Sequence, residues 1–118
     1  MYGLKKDIDL SFFIGSELIQ VCIGLHQLIL NFSGDISIGI ECEFYHLSKG
    51  RALNKSSELP DSACSLLSTL GCCVTDINNL GNGNLEIKLS NGDIIQINDS
   101  NEDYESYSIT TPNENIIV

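Results

Sequence analysis

Between Ile36 and Phe44 the chain alternates without a break. Ile36, Ile38, Ile40, Cys42 and Phe44 are apolar, while Ser37, Gly39, Glu41 and Glu43 are small or acidic. A period of two belongs to a half-buried strand, with one face packed and the other in water. Upstream, Leu28, Leu30 and Phe32 share one parity within His26–Phe32, and Ser33-Gly34-Asp35 reads as a turn. Pairing Phe32 with Ile36 sets Leu30 opposite Ile38 and Leu28 opposite Ile40. That register alone puts every apolar residue of the hairpin on one face.

A second hairpin is expected from Leu85 to Ile97 around Asn91-Gly92. A two-residue turn would pair Ile87 with Gln96 and mix apolar with polar. A three-residue loop, Ser90-Asn91-Gly92, pairs Ile87 with Ile95 and Leu85 with Ile97, with Gly92 in the left-handed region of a type I turn plus bulge. Leu18–Ile23 reads as a strand with Ile19, Val21 and Ile23 on one face. Cys73–Ile77, Tyr104–Thr110 and Asn115–Val118 are further strands, and Ser48–Glu58 and Asn78–Asn84 read as connections.

Only residues 61–70 favour a helix. Pro60-Asp61-Ser62 starts it, Ala63, Leu66, Leu67 and Leu70 form its apolar face, and Gly71 ends it. The pattern predicts a mainly β chain: an antiparallel β-sandwich, or a curved sheet or half-barrel, of about 6–8 strands with one short helix, forming a single domain over residues 1–118. The two hairpins look alike, each ending an apolar strand in a Gly/Asp turn, as a distant internal duplication would leave them.

Charge sets this frame apart. Sixteen Asp and Glu stand against six Lys and Arg, a net charge of -10 on a chain that is 42% hydrophobic. That is too apolar for a disordered acidic tail. Its field attracts basic partners and repels nucleic acid and anionic membranes. No stretch approaches the roughly 20 apolar residues of a membrane helix. Lys5 and Lys6 are followed at once by Asp7 and Asp9, which is not a secretory segment. The odd count of five cysteines suits a reducing compartment, so a cytoplasmic protein is expected. Adjacent Cys72-Cys73 lacks the spacer of a zinc pair.

Motifs of known chemistry are missing: GxSxG, HExxH, the P-loop and the dinucleotide fingerprint. His26 and His46 would need a carboxylate such as Asp35 or Glu43 to hold a metal. Cys42 faces His26 in the expected register, which leaves a small ligand-binding barrel or an enzyme with a site near His26 and Cys42 as the alternative. Glu41 and Glu43 beside that thiol oppose its activation. No catalytic residue, metal ligand or cofactor is assigned.

The acidic features read as a binding surface. Glu41 and Glu43 project from one strand, and Asp99, Glu102, Asp103 and Glu105 run into Tyr104 and Tyr107. Carboxylates engage a basic groove, and tyrosines supply contact area at low entropic cost. These eight residues are the expected contacts with a partner, made by a monomer or weak dimer.

Gly15-Ser-Glu-Leu-Ile-Gln-Val-Cys-Ile-Gly24, His26-Gln-Leu-Ile-Leu-Asn-Phe32 and Ile36–Ile40, followed by Leu85-Glu-Ile-Lys-Leu-Ser-Asn-Gly92 and Tyr104-Glu-Ser-Tyr-Ser-Ile109, resemble small β-rich bacterial proteins. Proteins of this look are often the immunity partners of polymorphic or contact-dependent growth-inhibition toxins. The likeness covers roughly Gly15–Phe44 and Leu85–Val118. It implies a cytoplasmic antidote that binds a cognate basic toxin domain. Many such toxins are nucleases, with ribonuclease the favoured class here, whose basic clefts suit an acidic plug.

Overall fold

The computed structural model describes residues 9–25, 27–52, 61–81, 83–98, 107–113 and 115–117. The chain runs through a 3₁₀ turn η1 (Ser11–Phe13), then β1 (Leu18–Ile23), β2 (Leu28–Phe32), β3 (Ile36–Ile40), β4 (Glu43–Ser48) and β5 (Arg51–Ala52). A longer 3₁₀ helix η2 (Asp61–Thr69) leads to β6 (Val74–Gly81), β7 (Asn84–Leu89), β8 (Ile94–Asn98), β9 (Tyr107–Thr110) and β10 (Asn115–Ile117). The strands form two antiparallel five-stranded sheets, β1-β2-β3-β9-β10 and β5-β4-β8-β7-β6. One apolar cluster takes side chains from both, including Leu28, Leu30, Ile38, Leu85, Ile87 and Ile95. This is the expected sandwich.

Both hairpins keep the expected registers. Phe32 pairs with Ile36, Leu30 with Ile38 and Leu28 with Ile40. Ile87 pairs with Ile95 and Leu85 with Ile97, and Gly92 has φ 92°.

The strands number more than the expected six to eight because the run Ile36–Phe44 is not one strand. Between β3 and β4, at Glu41-Cys42, the chain crosses from one sheet to the other. Ile40 and Phe44 are both buried, so the alternation survives the crossing. Two stretches expected to connect are partly strand: β4 runs to Ser48 and is answered by β5, and in the β6–β7 pair Gly81 already pairs with Asn84.

Two differences in facing have local causes. A bulge between Leu18 and Gln20 turns Ile19 outward, where it is 57% exposed, and breaks the expected Ile19, Val21, Ile23 face. The helix takes 3₁₀ geometry over its whole length. The Ser68 hydroxyl donates to the Ser65 carbonyl (2.7 Å) and the Thr69 hydroxyl to the Leu66 carbonyl (2.6 Å), capping acceptors three residues back. With three residues per turn, Leu66 and Thr69 stack inward while Leu67 and Leu70 stack outward.

The topology is two-fold. One half, η1 and β1–β5, gives a three-strand meander to the first sheet and a hairpin to the second. The other half, η2 and β6–β10, does the reverse. The halves clasp where β1 and β6 begin, through reciprocal bonds. Gly15 N–H donates to the Val74 carbonyl and Gly71 N–H to the Leu18 carbonyl, both at 2.8 Å. Val74 N–H donates to Ser16 (2.8 Å) and Leu18 N–H to Cys72 (2.9 Å). The Ser33 hydroxyl accepts from Glu17 N–H as the Ser90 hydroxyl accepts from Cys73 N–H. Gly15 and Gly71 share a left-handed backbone, φ 89° and 90°.

The matched glycines make the symmetry testable. A Cβ at Gly15 meets nothing within 4 Å, and at Gly71 only the Glu17 Oε2 at 3.9 Å, so backbone strain is the whole penalty. Gly15→Ala and Gly71→Ala should each cost about 1–3 kcal/mol, by similar amounts, in urea unfolding.

Candidate functional site

The inward face of the second sheet, largely apolar among the described residues, holds a buried polar cluster. On β4 the inward residues are Phe44 and His46, and His46 pairs across to Ile95. Its imidazole has no accessible surface. At the β7–β8 turn, Asp93 also faces inward and is 8% exposed. His46 Nε2 lies 2.8 Å from Asp93 Oδ2, and Nδ1 lies 2.8 Å from the hydroxyl of Ser65 on η2. A carboxylate only accepts, so Nε2 carries the proton, and in the neutral ring Nδ1 accepts the Ser65 hydroxyl proton.

Burial raises the Asp93 pKa, but this is outweighed. Hydrogen bonds from His46, Ser48 and Asn91, with the attraction of the His46 ring where it is protonated, hold the carboxyl below its ordinary value. Asp93 N–H in turn donates to Asn91 Oδ1 (2.9 Å), which fixes the turn. The trio thus ties three elements together: the β7–β8 turn, strand β4 and helix η2.

The two-fold relation shows what this polar tie replaces. β3–β9 pairing sets Ile109 opposite Ile38, as β4–β8 pairing sets His46 opposite Ile95. Ile36 follows the first hairpin turn as Asp93 follows the second. The position matching Thr69 is Phe13. The first sheet and η1 therefore fill with Ile36, Ile109 and Phe13 the places that the second sheet and η2 fill with Asp93, His46 and Thr69. The fold itself accepts apolar side chains there.

The connectivity is that of a hydroxyl–imidazole–carboxylate relay. With the ring fully covered, what it does in this state is orient: it fixes the imidazole tautomer and anchors η2. Sequence reasoning missed it because 19 and 47 positions separate the partners of His46. Parity was the available signal, since His46 continues the inward phase of Phe44, and Asp93 that of Ile95.

The expected contact residues divide. Glu41 is exposed at the crossing between sheets, and Glu43 opens β4. Asp99, Glu102, Asp103, Tyr104 and Glu105 lie outside the described residues, as does His26. Tyr107 is no surface contact. It is 1% exposed in the core, and its hydroxyl donates to the Gly83 carbonyl at 2.7 Å. It alternates with inward Ile109, and strand parity overrides its suitability for a surface. Cys42 is half-buried against the core. No disulfide joins the five cysteines.

Strand pairing places the described residues on either side of the run 99–106 near the two glutamates. Asn98 pairs with Glu43. Tyr107 pairs with Ile40.

A family model matches residues 13–118, so both halves of the sandwich and the trio fall within it. The chain belongs to DUF6188, a family of unknown function. No curated protein and no solved structure matches it. Among the described residues of this DUF6188 chain, no group of three or more His, Cys, Asp or Glu could hold a metal ion, and no helix is long and apolar enough to cross a membrane.

Two outcomes follow for the trio. A carboxyl whose folded pKa lies below the ordinary 3.8 stabilises the fold fully above that value and loses the contribution as pH falls through the folded value. Acidification below about pH 4 should therefore destabilise the protein, and Asp93→Asn should flatten that slope while costing about 1.5–3 kcal/mol at neutral pH. The double variant His46→Ile/Asp93→Ile, copying the first sheet, should be as stable as the wild type or more so in urea unfolding.

Proposed function

We propose that this DUF6188 protein is an immunity protein. It binds a cognate cationic toxin domain, with a nuclease and in particular a ribonuclease favoured, and covers the active site with an acidic surface. In this reading it acts by binding and not by catalysis, in the cytoplasm, as a monomer or weak dimer with reduced thiols. The observation that carries it is the pairing of Asn98 with Glu43 and of Tyr107 with Ile40, the described residues on either side of 99–106, in a chain of net charge -10. Acids on a small sandwich act on a basic cleft together, and their summed field speeds encounter. Glu41, Glu43, Asp99, Glu102, Asp103, Tyr104 and Glu105 are the contacts in this reading.

The test is an association-rate titration against the toxin domain encoded beside the gene for this chain. Reversing Glu102 and Asp103 to Lys should slow association by about 10-fold or more at low salt, with the difference shrinking as salt rises. Unchanged rate and affinity in the reversed protein would sink the acidic-surface mechanism.

A further inference from the structure

Six large hydrophobic side chains stand exposed among the described residues: Ile14, Ile19, Leu25, Leu67, Leu70 and Leu80. All six lie in two stretches, 9–25 and 61–81. These stretches contain no Lys or Arg, yet they carry Asp9, Glu17, Asp61 and Asp76. They are also the stretches that the reciprocal bonds of the clasp join, so one edge of the sandwich combines unburied apolar side chains with carboxylates, and Lys88 on the neighbouring strand β7 stands opposite Asp76.

The local geometry makes part of this edge continuous. Cys64, Leu67 and Leu70 follow one another at the three-residue period of η2, and all are exposed. The bond from Gly71 N–H to the Leu18 carbonyl brings the backbone after Leu70 close to that before Ile19, which the β1 bulge has turned outward. The Glu17 carboxylate reaches over the same point, 3.9 Å from where a Gly71 Cβ would sit. Across the clasp, Ile14 matches Leu70 by the two-fold relation and borders a hollow also lined by Asp9, Leu10, Ser11, Ile77 and Asn79. A folded chain gains nothing by leaving such a ridge in water, and apolar patches with polar rims mark contact surfaces.

We propose that this clasp edge, centred on Leu67, Leu70 and Ile19 with Glu17 at its rim, is where the protein grips a cationic protein domain that offers an apolar contact of its own. Charge selects the occupant. A second copy of this chain, itself of net charge -10, would bring carboxylates against the Glu17 carboxylate, whereas a basic partner is complementary to it. The Ser65–His46–Asp93 tie holds η2, and with it the leucine ridge, against the sandwich. The inference rests on the reading of the protein as an antidote and adds a division of labour. The summed charge of Glu41, Glu43 and the acids of 99–105 sets how fast the partner arrives, and the clasp edge sets how long it stays.

The experiment follows association and dissociation of the full chain with the toxin domain encoded beside it, with sedimentation of the chain alone in parallel. Leu67→Ser/Leu70→Ser should speed dissociation by about 10- to 100-fold with little change in association rate. Glu102→Lys/Asp103→Lys should do the opposite. Glu17→Lys tests the same edge without touching η2, should the leucine variant unfold, and is expected to speed dissociation as well. If the wild type binds tightly and both the Glu17 and the folded leucine variants dissociate like it, the clasp-edge proposal is overturned while the antidote reading stands. If no such domain is encoded there, or it is not bound, the antidote reading falls and the proposal with it. Self-association of the chain that the leucine variant abolishes would assign the edge to a second copy and likewise overturn the proposal.

Discussion

The reciprocal clasp between the starts of β1 and β6 is the constraint on which the rest depends. Each sheet takes three strands from one half of the chain and a hairpin from the other, so neither sheet is complete without both halves. Gly15 and Gly71 bring the two strand starts together by adopting the same left-handed backbone, and the bonds to Val74 and Leu18 fix the sheets edge to edge. The core between them follows: Leu18 and Val74 are buried at the clasp, and Ile38 and Ile95, at matching positions of the two sheets it joins, are buried as well.

Symmetry also shows where the protein departs from what its fold requires. The buried imidazole–carboxylate pair of the second sheet sits where the first sheet places two isoleucines, Ile109 and Ile36. Such a pair must be well hydrogen-bonded to offset its desolvation, and a well-packed apolar replacement often serves stability as well. Here each polar group is met. Asp93 has His46, Ser48 and Asn91, and His46 has Ser65 and Asp93. The result is a directional tie rather than a softer apolar contact, and it holds the one element, η2, that differs most between the halves.

The registers of both hairpins were legible because parity and turn length leave one solution that buries all the apolar residues. The outward turn of Ile19 was not, since a bulge adds a residue without a mark in the alternation. Nor was the crossing at Glu41-Cys42, because inward side chains remain inward as the chain passes between sheets. Tyr107 was legible as a strand residue but misread as a surface one, though it shares the parity of Ile109. The helix was legible as an apolar segment, but serine and threonine hydroxyls capturing carbonyls three residues back tightened it, and that exchanged which leucines are buried.

Sequence alone determined the class of fold, the hairpin pairings and the strongly acidic balance, because each follows from neighbours along the chain or from a sum over it. Tertiary structure decided what required distant residues to meet. It brought Ser65, His46 and Asp93 into one tie, set Asn98 and Tyr107 beside the Glu43 and Ile40 positions, and left Ile19, Leu67 and Leu70 exposed near the clasp. Pairing between strands far apart in sequence is fixed only when both sheets close over one core, and no local pattern records it.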